Sequence, residues 1–186
     1  MERILYLFLV RHSEIPDVPP ELVAQARKQW QWVESEVMKL PTPDRAYFDS
    51  LTTRDHERTM LCVREWVDAG WSLDNLAPTW RMLALLTAAN VIIEPTEDAA
   101  LHDQYFQFMD TLPRGLVSEH NHYRIIDLVD RRDRFIASQI QRTLRPGETG
   151  FLFQGVNHSI HRFLEADIKL GVYTGYVTPV GRAYEP

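Results

Sequence analysis

Residues 4–10, Ile-Leu-Tyr-Leu-Phe-Leu-Val, are apolar without interruption, and no other feature limits the fold as strongly. A strand with one face in water alternates apolar and polar residues, whereas one that is apolar throughout is covered on both faces, as inside a parallel sheet flanked by helices. Further β-type runs occupy residues 46–48, 91–93, 151–153 and 168–173. Helical patterns separate them. Residues 19–39 open on Pro19-Pro20-Glu21, where a first turn tolerates proline, and carry Leu22, Ala26, Trp30, Val33 and Val37 as a buried stripe. Residues 54–68, 75–89, 97–112 and 116–144 read as four more helices. Thr96 is the expected N-cap of the third of these, and Ile125, Val129, Ile136, Ile140 and Leu144 line the last. A short helix follows Asn157, and the tail from Gly175 reads as a peripheral extension. Strands separated by helices, with no hairpin signature, imply an α/β fold: a single domain over residues 1–186 with a mainly parallel sheet flanked by helices.

A formal net charge of −6 without a basic run excludes a nucleic-acid groove as the expected function. The single cysteine, Cys62, excludes disulfide architecture and a zinc-thiolate cluster and reads as a small apolar side chain. Residues 1–10 lack a signal-peptide cleavage site and are too short to span a bilayer, so the expected compartment is the cytoplasm, with no membrane partner. Trp30 and Trp32 on the first helix suggest an exposed partner surface, as in a homo-oligomer.

The β-type runs end in residues able to do chemistry. The first runs into Arg11-His12-Ser13-Glu14 with Asp17 beyond, the second into Asp49, the third into Glu94 and then Thr96-Glu97-Asp98, and the fourth through Gly155 into Asn157-His158. In an open parallel sheet the residues past the carboxyl ends of the strands gather along one edge, where ligands bind. One cleft is therefore expected to hold His12, Glu14, Asp17, Asp49, Glu97, Asp98 and His158. Glu97 and Asp98 also suit a helix start electrostatically without any chemistry. Arg131-Arg132, with Asp130 and Asp133, reads as a solvated charged face, and His56, His102 and His161 as surface residues.

The block that opens at Arg131 runs through Glu148-Thr149-Gly150-Phe151-Leu152-Phe153-Gln154-Gly155-Val156-Asn157-His158 and ends in Asp167-Ile168. It resembles a prokaryotic α/β family of uncharacterised activity that combines an HxE turn (here His12 to Glu14), a TED segment (Thr96 to Asp98) and a late ETGxLFxGxxH strand. More distantly, His12 and Gly155-Val156-Asn157-His158 look like the strand-end histidine and Gly-x-x-His of the TraB, erythromycin-esterase and haem-binding ChaN group, which implies hydrolysis or metal and haem binding. Leu9-Val10-Arg11-His12-Ser13-Glu14 also resembles the start of the histidine phosphatases, Ser50-Leu51-Thr52-Thr53-Arg54 their second-arginine segment, and His158 their late histidine. That likeness implies a phosphoryl group carried by His12, held by Arg11 and Arg54, with Glu97 protonating the leaving alcohol.

The leading expectation is a metal-assisted hydrolase acting on a small molecule or peptide. A divalent Zn, Mn or Fe ion is held by His12, Asp17 and His158; His12, Glu14, Glu97 and His158 form the catalytic set; and Arg11, Arg54 and Asn157 contact substrate. The alternatives are a histidine-phosphatase-like phosphomonoesterase using His12, and a non-catalytic haem- or anion-binding protein.

Overall fold

The uninterrupted apolar run becomes β1 (Arg3–Val10), a strand with parallel neighbours on both edges. The structure, a computed structural model, describes residues 1–11, 19–112 and 118–174. On one side β1 pairs with β4 (Thr149–Gly155), on the other with β5 (Ile168–Tyr173); β2 (Arg45–Phe48) lines the far edge of β4, and β3 (Ile92–Glu94) closes the sheet. The order is β3-β2-β4-β1-β5, and every pairing is parallel. The fold is thus α/β, as the alternation of strand and helix patterns requires.

The steps from β1 to β2 and from β2 to β3 run one way across the sheet, and those from β3 to β4 and from β4 to β5 run back. Right-handed crossovers then send the connecting helices to opposite faces. One core is formed where α1 (Pro20–Val37), α2 (His56–Asp68) and α3 (Pro78–Ala88) cover Phe8, Val10, Ala46, Phe48, Phe151 and Phe153. The other forms where Ile136, Ile140 and Leu144, from α5 (Glu119–Thr143) and its C-cap, meet Leu5, Leu7, Tyr47 and Leu152. α4 (Ala99–Asp110) packs on α5. Strand alternation therefore assigns each side chain of β4 to one core or the other.

Several boundaries differ from the sequence reading. α3 begins at Pro78, preceded by a 3-10 turn at Leu73–Asn75, because a residue before proline is driven out of the helical region; Ala77 has ψ 146°. Thr96 does not cap α4. Its hydroxyl donates to the carbonyls of Phe48 and Leu51, and the N-cap is Asp98, whose carboxylate accepts from the Leu101 N–H at 2.9 Å. Leu22 is exposed, outside the buried stripe that the other four residues do form. Trp30 is 4 % exposed in the first core and its indole donates to the Arg11 carbonyl, and Trp32 packs half-buried against the same core, so these rings do not make an exposed partner surface. Among the described residues no helix is long and apolar enough to cross a membrane. The tail from Gly175 lies outside the described residues.

Candidate functional site

β1 and β4 lie side by side in register to their last residues, Val10 opposite Gly155. From its carboxyl end β1 connects to α1 on one face, and β4 to the 3-10 turn Ile160–Arg162 on the other. Adjacent strands whose connections diverge in this way leave a crevice at their carboxyl ends, the usual ligand position of an open α/β sheet.

His158 lies beyond β4 with its side chain 7 % exposed. Its Nδ1 donates to Asp133 Oδ1 at 2.5 Å, and the other Asp133 oxygen accepts the Ser159 N–H at 2.6 Å. Its Nε2 is 3.9 Å from Asp49 Oδ2, which accepts the Gly155 N–H at 2.6 Å. Asp49 thus links the end of β2 to the end of β4.

Glu97 is 1 % exposed and gripped from two sides. Arg132 binds it bidentately, Nε to Oε2 at 2.6 Å and Nη2 to Oε1 at 2.5 Å, and the Ser50 N–H donates to Oε1 at 2.9 Å. Ser50 adopts φ 67°, a left-handed conformation rare outside glycine, at the turn that presents this N–H. Burial alone would lower the Arg132 pKa, but the Glu97 hydrogen bonds and the charges of Glu97 and Asp49 outweigh it and hold the guanidinium above its ordinary value. The Arg132 guanidinium also lies over the Tyr105 ring, 4.6 Å from its centroid. The loops after β2 and β3 are laced together by the Thr52–Glu97 parallel bridge and the Thr96 hydroxyl.

The remaining expected site residues are dispersed. Arg11 is anchored through its backbone, its N–H donating to Gln29 Oε1 at 2.9 Å, and its guanidinium donates to Gln25. Arg54 is more than half exposed and holds Asp103 at 2.8 Å, which raises its pKa through that hydrogen bond and the Asp103 charge. Asn157 is exposed beside His158, and Asp98 serves as a helix cap. His12, Glu14 and Asp17 lie outside the described residues, so of the expected metal set His12, Asp17 and His158 only His158 has a described environment. Among the described residues no group of three or more His, Cys, Asp or Glu side chains converges as a metal cluster.

Two members of the site were read from sequence as a solvated face. Arg132 and Asp133 are 4 % and 0 % exposed, whereas their neighbour Arg131 is exposed. The signal was present. Positions 132 and 133 fall three and four residues after Val129 and four and three before Ile136, which places both on the apolar stripe of α5. A charge on a buried stripe must be paired, and each finds its partner at a strand end. No family model, curated protein or solved structure matches the chain. The chemistry therefore rests on the residues themselves: an imidazole oriented by one carboxylate and facing a second, beside a buried Arg–Glu pair.

Proposed function

We propose that the protein is a hydrolase driven by the histidines that follow β1 and β4, and that its reaction is phosphomonoester hydrolysis through a phosphohistidine at His12. The observation that carries this reading is the strand order. With β4 and β1 adjacent and in register at Val10 and Gly155, Arg11 and Asn157-His158 leave neighbouring strand ends, His12 is the next residue of the sequence after Arg11, and Arg54 and Glu97 follow β2 and β3 on the same edge. These are the positions on which the resemblance to histidine phosphatases depends. The same strand ends serve metal-assisted hydrolysis, the leading expectation from sequence alone, and sensitivity to chelator separates the two readings.

In this mechanism the His12 imidazole attacks phosphorus, the P–N bond forms and the P–O bond to the alcohol breaks. His158, its Nδ1–H held by Asp133, gives the Nε2 proton to the departing oxygen. Water then attacks phosphorus, returns a proton to His158 and releases His12 with inorganic phosphate. Glu97 is a poor proton donor here, because both its oxygens are occupied by Arg132 and Ser50. Turnover of p-nitrophenyl phosphate that persists in chelator, loss of turnover in both His12→Ala and His158→Ala, and an acid-labile phosphoryl adduct on His12 are the expected results.

A second reading, metal-assisted hydrolysis of a small molecule or peptide, is favoured by the carboxylate on His158 Nδ1, since metal-bound histidines characteristically donate their other nitrogen to a carboxylate. Nε2, 3.9 Å from Asp49, would then share a Zn, Mn or Fe ion with Asp49, His12 and Asp17. Turnover abolished by chelator and restored by one of these ions, with no phosphoryl adduct, would select this reading over the first.

A further inference from the structure

Gln154, the next-to-last residue of β4, is 1 % exposed, and its side-chain carbonyl oxygen has no hydrogen-bond donor among the described residues. A buried amide oxygen without a donor loses its hydration and gains nothing in return, so native structures rarely leave one unfilled. Its position is informative. Phe153 packs in the α1–α3 core and Leu152 in the α5 core, so alternation directs Gln154 to the α5 side, the side of the His158–Asp133 pair. Phe48 is paired with Phe153, which makes Asp49 the neighbour of Gln154 across the β2–β4 ladder. The side chains at this level are rich in acceptors. Asp49 brings a carboxylate, and His158 turns Nε2 toward it at 3.9 Å while its Nδ1–H is spent on Asp133.

We infer that Gln154 is a ligand-contacting residue, whose Oε1 accepts a hydrogen bond from an O–H group bound against Asp49 and His158. Two sources share that chemistry: a hydroxyl of the substrate, and the water that attacks phosphorus in the second half of the reaction. The inference rests on the proposed phosphohydrolase reading for its catalytic consequence, but not for the presence of the O–H group itself.

The test uses the full chain with Gln154→Met, which keeps length and removes the acceptor, and Gln154→Glu, which keeps an acceptor. Gln154→Met is expected to fold with an equal or higher Tm, because a buried polar group without a partner has gone. If the O–H is the attacking water, its kcat falls about tenfold on both p-nitrophenyl phosphate and glycerol 2-phosphate, the scale of one transition-state hydrogen bond, with KM unchanged. If it is a substrate hydroxyl, KM rises for glycerol 2-phosphate and not for p-nitrophenyl phosphate. Gln154→Glu retains more activity than Gln154→Met in either case. Wild-type constants in Gln154→Met on both esters would overturn the inference. Should the wild type hydrolyse neither ester, the phosphohydrolase reading fails, and an atomic-resolution crystal structure decides the inference separately. An ordered oxygen within about 3.2 Å of Oε1 that also touches Asp49 or His158 supports it, and a protein donor on Oε1 overturns it.

Discussion

Arg132 and Asp133 are consecutive on α5 yet serve different strand ends, Arg132 holding Glu97 beyond β3 and Asp133 holding His158 beyond β4. The Arg132–Glu97 pair is fully buried, so the cost of desolvating both charges offsets much of their attraction; its net contribution is small, but its half-removal is not. Glu97→Gln turns an amide N–H toward the guanidinium and leaves a buried cation uncompensated, and it should destabilise the protein by about 3–5 kcal/mol in urea unfolding. The double replacement Glu97→Leu with Arg132→Met should recover most of that loss. A double variant as unstable as Glu97→Gln would show that the pair itself stabilises the fold. Asp133→Asn tests orientation rather than stability. One Asp133 oxygen accepts the Ser159 N–H, so an asparagine there places its carbonyl on Ser159 and its NH₂ against His158 Nδ1. The imidazole, which carries protons on both nitrogens when it acts as the acid, should be held as the neutral Nε2–H form, visible in its ¹⁵N shifts, and kcat should fall by about 10²–10⁴ with KM little changed. An unchanged tautomer would remove Asp133 from the mechanism.

At the scale of elements, the strands were legible because uninterrupted apolar runs bounded by polar turns admit few other readings, and α5 because its apolar spacing runs from Ile125 to Leu144. The start of α4 was misread for a physical reason. Thr96 and Glu97 have the composition of a cap and first turn, but the parallel bridge from Glu97 to Thr52 and the Thr96 bond to Phe48 draw both into the β2 loop, and the helix starts two residues later. Tertiary pairing overrode local preference, and nothing within residues 94–100 announces a partner at Thr52. Close packing fixes β4 against α5 just as firmly. A Cβ on Gly150 would sit 3.1 Å from Leu5 Cδ1, 3.1 Å from Tyr47 Cε2 and 3.2 Å from Leu144 Cδ1, three buried side chains on three different segments. Gly150→Ala should therefore cost about 1–3 kcal/mol, since relief in one direction tightens another contact. Chemical unfolding checks it; a neutral variant would mean that the Leu144 end of α5 moves freely over the sheet.

Over the whole molecule, sequence order says which residues stand at strand ends but not which strands are neighbours, because parallel pairing joins segments as distant as Leu7 and Leu152. His158 and Asp49 were both legible as strand-end residues of one cleft, whereas the pairing of His158 with Asp133, a charge on the buried stripe of α5, became visible only once α5 was docked beside β4. Charge placement across the fold also sets its pH response. Glu148 is half-buried beside Arg45, and the Arg45 hydrogen bond and the Arg145 N–H outweigh the upward push of burial and hold its pKa below the ordinary range. Asp55 is lowered by the Thr52 hydroxyl, Asp103 by Arg54 and Asp167 by Arg3. Each lowered carboxylate contributes stability that is present above its unfolded pKa, about 4, and lost as pH falls through the folded value. Tyr47 behaves oppositely. Burial raises its pKa well above the ordinary value of about 10, so its contribution is complete below that pH and is lost as pH rises beyond it. The stability profile should be flat from about pH 5 to about pH 9 as far as these groups set it, with an acid limb below and an alkaline limb above. Tyr47→Phe separates the limbs. It gives up the 2.9 Å bond to Thr143 Oγ1, whose own hydroxyl donates to Gln139, and so lowers the plateau by about 1 kcal/mol. It should also flatten the alkaline limb while leaving the acid limb in place. Urea midpoints measured from acid to alkaline pH in both proteins give the answer, and an alkaline limb that survives unchanged in Tyr47→Phe would assign it to other groups.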